Sequence, residues 1–134
     1  VTPSVGDSRE TVVVENLSRT RIVQYAGASG DYNPLHTDEP FARDVAGYPG
    51  VFAHGMLTMG LTGRALTDWV GEDRLLDFGV RFTAQVWPGD TLTTTITVDA
   101  ISEGAEPTAT LSVVTTNQDG VTVVSGTATT RLDP

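Results

Sequence analysis

Apolar and polar residues alternate strictly between Leu92 and Ala100. Leu92, Thr94, Ile96, Val98 and Ala100 fall on one side, and Thr93, Thr95, Thr97 and Asp99 on the other. A period of two marks a strand with one buried face. Ala109, Leu111 and Val113 continue the pattern in a second strand. Val121 to Leu132 supplies a third, whose phase slips at Val123 and Val124 as at a bulge. Asp119-Gly120 predicts a hairpin turn, Pro88-Gly89 a type II turn, and Gly104 to Pro107 a loop. Leu75 to Val86 is a further strand candidate carrying Arg81, and Thr11 to Leu17, rich in β-branched residues, is another.

Elsewhere the period is helical. Ser18 stands as an N-cap, with Leu17 and Ile22 placed as a hydrophobic staple around it. The spacing predicts a helix from about Arg19 to Ala28 that buries Ile22, Val23 and Ala26 and ends at Gly30. A tight loop, Gly30-Asp31-Tyr32-Asn33-Pro34, follows. Thr37 or Asp38 caps a second, short helix with Pro40 in its first turn, and Gly47, Pro49 and Gly50 break the chain again. From His54 to about Val70 runs the longest helix candidate, apolar around most of its circumference, which predicts a buried helix with Met56 and Met59 in the core. Gly55, Gly60 and Gly63 each cost about 1 kcal/mol of helix propensity, which close packing against the backbone would explain.

Four or five antiparallel strands with one apolar face and one apolar helix to hide have an economical solution: the sheet wraps around the long central helix. That is an α+β architecture, the hot-dog fold. Residues 1–134 read as one such domain. Its edge strands are expected to pair across a dimer, with Trp69 and Trp87 in the core or at that interface.

Composition narrows the chemistry. The 134 residues carry a net charge of −9, which argues against binding nucleic acid or an anionic membrane surface. No apolar run approaches the about 20 residues of a membrane span, and no signal-peptide pattern is present. The chain opens on Val1, after a removed initiator Met or a cut from something longer. The absence of Cys removes disulfides, thiolate nucleophiles and Cys-bound zinc, and suits a cytoplasmic protein. All eight basic residues are Arg, so a lysine Schiff base is excluded. With only two His and no HExxH spacing, no metal site is expected. There is neither a GxSxG elbow nor a GxGxxG turn after a strand, so no serine hydrolase of that type and no dinucleotide cofactor are expected.

What remains is the run from Tyr25 to His36, which sets a carboxylate, Asp31, and an imidazole, His36, five residues apart on a loop shaped by Gly and Pro. Asn33 and Pro34 can aim both side chains at one point. The run resembles the signature of the MaoC-like (R)-specific enoyl-CoA hydratase family: Tyr25, Ser29-Gly30-Asp31, Asn33-Pro34-Leu35-His36 and Ala42 all match. The likeness continues in Ala53-His54-Gly55-Met56-Leu57, in Val80-Arg81-Phe82 and in Pro88-Gly89-Asp90-Thr91-Leu92. The stretch around His54 and the following helix is similar to the catalytic subunit of actinobacterial (R)-3-hydroxyacyl-ACP dehydratases.

The resemblance implies a hot-dog enzyme of fatty acid metabolism that reversibly hydrates a trans-2-enoyl-CoA or enoyl-ACP, working without a cofactor as a homodimer or beside a related hot-dog subunit. It implies that Asp31 and His36 activate the water and shuttle its proton. The Gly55 N–H, at the helix start, would take the enolate oxygen, and glycine there lets the thioester approach the backbone. Asn33 would hold the loop and orient Asp31. An anionic carrier needs local arginines, for which Arg43, Arg64, Arg74 and Arg81 are candidates, Arg81 for the carrier phosphates. His54 is expected to be structural, bonding local backbone. Two alternatives stay open: a non-catalytic acyl-thioester-binding subunit of a heterodimeric dehydratase, and a hot-dog thioesterase. Thioesterases of this fold place a carboxylate on the central helix, whereas 54–67 contains none.

Overall fold

A computed structural model of the chain describes residues 3–133. Strand β1 (Ser8–Val14) leads to helix α1 (Arg19–Ser29), then to a 3-10 turn at Pro34–His36 and a π-helical turn at Phe41–Val45. Helix α2 (Gly55–Val70) precedes strands β2 (Leu75–Phe82), β3 (Leu92–Ser102), β4 (Thr108–Thr116) and β5 (Thr122–Arg131). The five strands form one antiparallel sheet in the order β1-β3-β4-β5-β2. Its inner face (Leu92, Ile96, Val98, Ala109, Leu111, Val113, Val123, Val124 and Ala128) packs with Leu57, Leu61, Ala65 and Leu66 of α2 in a single core. The sheet wraps the helix in the expected hot-dog arrangement.

The local signals operate as read. Ser18 Oγ accepts from the Arg21 N–H, and Gly30 closes α1 at φ 76°. Pro88-Gly89 turns with Gly89 at φ 94°, and the Asp90 N–H donates to the Trp87 carbonyl at 3.0 Å. Val123 and Val124 are both buried, and the β4–β5 register shifts there, where Thr115 faces Val124 and Thr116 faces Thr122.

Five expectations need correction. β1 begins at Ser8 and stops at Val14, because Asn16 adopts a left-handed turn at φ 48°. β2 stops at Phe82, and Val86 instead accepts a backbone bond from Ala53. Val23 is 52% exposed, because α1 buries only the narrow stripe of Ile22 and Ala26. Ala100 faces out, because a register shift between Val98 and Ala100 reverses the alternation. Helix α2 buries one side only: Met56 is 56% exposed and Met59 partly so, because the sheet covers the stripe Leu57, Thr58, Leu61, Thr62, Ala65 and Leu66.

Two of the three helix glycines meet the packing they imply. A Cβ at Gly55 would stand 3.2 Å from the Phe82 ring, and one at Gly63 3.3 Å from the Phe78 ring, whereas Gly60 faces open space. Glycine thus lets β2 lie against α2, its Phe78 and Phe82 on the helix side. Elsewhere on α2, Thr62 Oγ1 and Thr94 Oγ1 each lie 2.7 Å from Thr115 Oγ1, linking α2, β3 and β4 through three buried hydroxyls.

Candidate active site

The loop after α1 is a chain of local side-chain-to-backbone bonds. The Ser29 hydroxyl donates to the Tyr25 carbonyl at 2.8 Å and accepts from the Asp31 N–H at 3.2 Å. Asp31 Oδ1 accepts from the Asn33 N–H at 3.3 Å, and Asn33 Oδ1 accepts from the Leu35 N–H at 3.1 Å, capping the 3-10 turn. Asp and Asn favour such turns because their short side chains reach the backbone two residues on. Asn33 therefore orients Asp31 through its main chain, and its side-chain oxygen holds the loop.

This folding swings His36 inward. The ring is buried, and its Nδ1 lies 2.6 Å from the Phe52 carbonyl. A carbonyl only accepts, so Nδ1 carries the proton and Nε2 is left bare when the ring is neutral. Burial holds the His36 pKa below its ordinary value, opposed by the Phe52 bond; the neighbouring His54 lowers it further and the Asp31 carboxylate raises it. A base poised to accept a proton at neutral pH results.

His54 caps the start of α2 and joins the group. Its Nε2 donates to the Asp31 backbone carbonyl at 3.0 Å, and its ring stacks on His36 at 3.8 Å between centroids. Tyr25 also packs against the His54 ring, at 4.9 Å between centroids. One oxygen of Asp31 and one nitrogen from each of His36 and His54 all lie within 4.8 Å of one another. Such a gap suits one water making two hydrogen bonds of about 2.8 Å at a roughly tetrahedral angle. As metal ligands the three are poorly aimed. The rings stack with their planes only 26° apart, so their in-plane lone pairs run side by side and do not converge on one point.

The Gly55 and Met56 amides open α2 and belong to the first turn, which has no intrahelical acceptors. Gly55 is exposed and lines a pocket of about 330 Å³ with Phe52, Thr58, Phe82, Val86 and Val123. An oxyanion held there gains from the helix dipole as well as the N–H.

Asp31, His36, Asn33 and the Gly55 end of α2 thus converge. Arg81 does not join them: it alternates with Val80 and Phe82, so it faces away from α2 and lines a groove on the outer sheet face with Ser125 and Thr127. The other three candidate arginines bond elsewhere and apart, Arg43 to Glu39 and the Pro49 carbonyl, Arg64 to the Val13 carbonyl and Arg74 to Asp133. Sequence reasoning missed the Phe52 carbonyl, which has no side-chain signal, and the stacking of His54. The position of His54 beside Gly55 was the available clue to the latter.

The MaoC like domain family matches residues 1–120. Over 71 residues the chain is 45% identical to 3-hydroxyacyl-thioester dehydratase Y of Mycobacterium tuberculosis, covering 51% of this chain and 24% of that protein. The chain therefore spans about a quarter of that curated relative. Among solved structures, the (R)-hydratase from A. caviae involved in PHA biosynthesis superposes with a TM-score of 0.86 at 29% identity, covering 98% of both chains. The ChsH1-ChsH2 complex from Mycobacterium tuberculosis gives a TM-score of 0.83 at 26% identity over 98% of this chain and 100% of the matched one.

Proposed function

The chain belongs to the MaoC like domain family, and we propose that it is a hydro-lyase that reversibly adds water to a short trans-2-enoyl thioester, giving the (R)-3-hydroxyacyl product. The observation that carries this reading is the meeting of the Asp31 carboxylate and the His36 ring within 4.8 Å, with His36 Nδ1 committed to the Phe52 carbonyl and its Nε2 left bare, near the start of α2 where Gly55 is exposed. Asp31 and His36 hold the water. Its oxygen bonds C3 while the C2=C3 electrons move onto the thioester oxygen. The Gly55 N–H stabilises that enolate, and the proton released from the water reaches C2 through the pair. The apolar walls of the adjoining pocket receive the acyl chain. Dehydration is the same path reversed.

The carrier is CoA or acyl carrier protein, and a setting in fatty acid metabolism fits either. A dimer fits the sheet: β2 is an edge strand, and it exposes Leu76 by 55% and Phe82 by 52%. A second copy or a related hot-dog subunit covers this edge, and the heteromeric neighbour supports the second arrangement. No described helix is long and apolar enough to cross a membrane, and the Cys-free composition supports a cytoplasmic setting.

Purified protein is expected to hydrate crotonyl-CoA, followed as loss of the enoyl-thioester absorbance, with only (R)-3-hydroxybutyryl-CoA formed. Release of free thiol in place of hydration would identify a thioesterase. Failure on every acyl length and both carriers, alone and with a related hot-dog subunit, would remove the reading.

A further inference from the structure

We propose that His54 is a positioning residue of the hydration site, its Nε2–H fixing the Asp31 main chain while its ring backs the His36 imidazole. This rests on the reaction proposed above. Three independent observations carry it. The Nε2 bond to the Asp31 carbonyl spans 23 residues of sequence at 3.0 Å, so it ties the catalytic loop to the start of α2. The His36 and His54 rings stack at 3.8 Å, which sets the plane of the imidazole whose Nε2 must meet the water. His54 is 1% exposed, yet its Nδ1 has no hydrogen-bond partner among the described residues. A buried acceptor left bare costs stability, and an ordinary core position would be filled by an apolar ring instead.

One side chain therefore joins the three elements of the site: the Asp31 main chain, the His36 base and the helix end that offers the Gly55 amide. His54 makes no side-chain bond to cap its own helix, so its donor is spent on Asp31. The charged and titratable groups facing His36 are Asp31 from the loop and His54 from the N-terminal end of α2, with Tyr25 of α1 against His54 and the Phe52 carbonyl on Nδ1. His54 lowers the pKa of the His36 ring it stacks on, and so helps to keep His36 in its basic form.

Two substitutions separate the parts. His54→Gln keeps an amide N–H able to reach the Asp31 carbonyl and removes the ring. His54→Phe keeps the stack and removes the donor. We expect His54→Phe to lower kcat about 10- to 100-fold with little change in KM, the cost of a small misplacement of a catalytic group, and His54→Gln to recover most of it. In both variants the His36 pKa rises, and the acid limb of the rate profile moves to higher pH. With two histidines in the chain, each variant leaves one imidazole to follow by NMR.

In the unmodified protein, imidazole nitrogen shifts should report Nε2–H for His54 and Nδ1–H for His36. The opposite tautomers, or a His36 titration unchanged in both variants, or full kcat in His54→Phe, would overturn the proposal. The NMR readouts need no turnover. If the protein hydrates nothing but His36 titrates as expected, the reaction class fails and the coupling of the two rings stands.

Discussion

At the scale of single residues, the site depends on two groups kept in different states by their surroundings. The Asp31 carboxylate is exposed and accepts only the local Asn33 N–H, and His36 is buried with one nitrogen committed to Phe52. Burial lowers the His36 pKa from the ordinary 6.5, so its basic form persists to lower pH than a free imidazole's. The acid limb of kcat/KM, if set by His36, should accordingly lie below pH 6.5. Asp31 is the charge that raises His36, so Asp31→Asn should move the His36 titration lower still, which NMR can follow in the inactive variant. Gly55→Ala brings a methyl within 3.2 Å of the Phe82 ring, in the pocket that Gly55 lines. We expect kcat/KM to drop at least about tenfold, with part of the loss returned when Phe82→Ala is added.

Among the elements, the strand faces and the helix caps were legible because each rests on local physics. Ser18 needs only a nearby N–H, Gly30 only a left-handed φ, and the alternation from Leu92 to Val98 only a pleat. What was not legible depends on partners distant in sequence. Val23 and Met56 are apolar, but nothing local states that the sheet stops short of them. The bulge at Val98 turns Ala100 outward without a sequence mark. Within the site, the loop motif disclosed Asp31 and His36, yet their approach to His54 and Phe52 is a tertiary fact. So is the separation of Arg81 from them by the thickness of the sheet. The threonine trio extends this point to stability. Thr115→Val leaves the hydroxyls of Thr62 and Thr94 without their shared partner in the core, and should cost about 1–3 kcal/mol. Urea unfolding would measure it, with the activity of the folded protein largely retained.

For the whole molecule, the sheet ends at β1 and at β2, and the β2 edge lies directly beside the pocket wall formed by Phe82. Assembly through that edge would both hide Leu76 and complete the pocket. The protein, alone or with its related subunit, should therefore run in analytical ultracentrifugation at about twice the 14.2 kDa of the chain. Leu76→Arg should shift it toward the single-chain mass and weaken substrate binding.

The claim that the loop carboxylate and the buried imidazole work on one shared water is tested most directly by a double-mutant cycle. Hydration rates would be measured for Asp31→Asn, His36→Ala and the combined variant, each verified as folded by circular dichroism. Each single change should cost about 10²–10⁴ in rate, and the double variant should be little worse than the poorer single one, because groups that act as a unit are lost together. Independent losses that multiply, or full activity in either single variant, would contradict it.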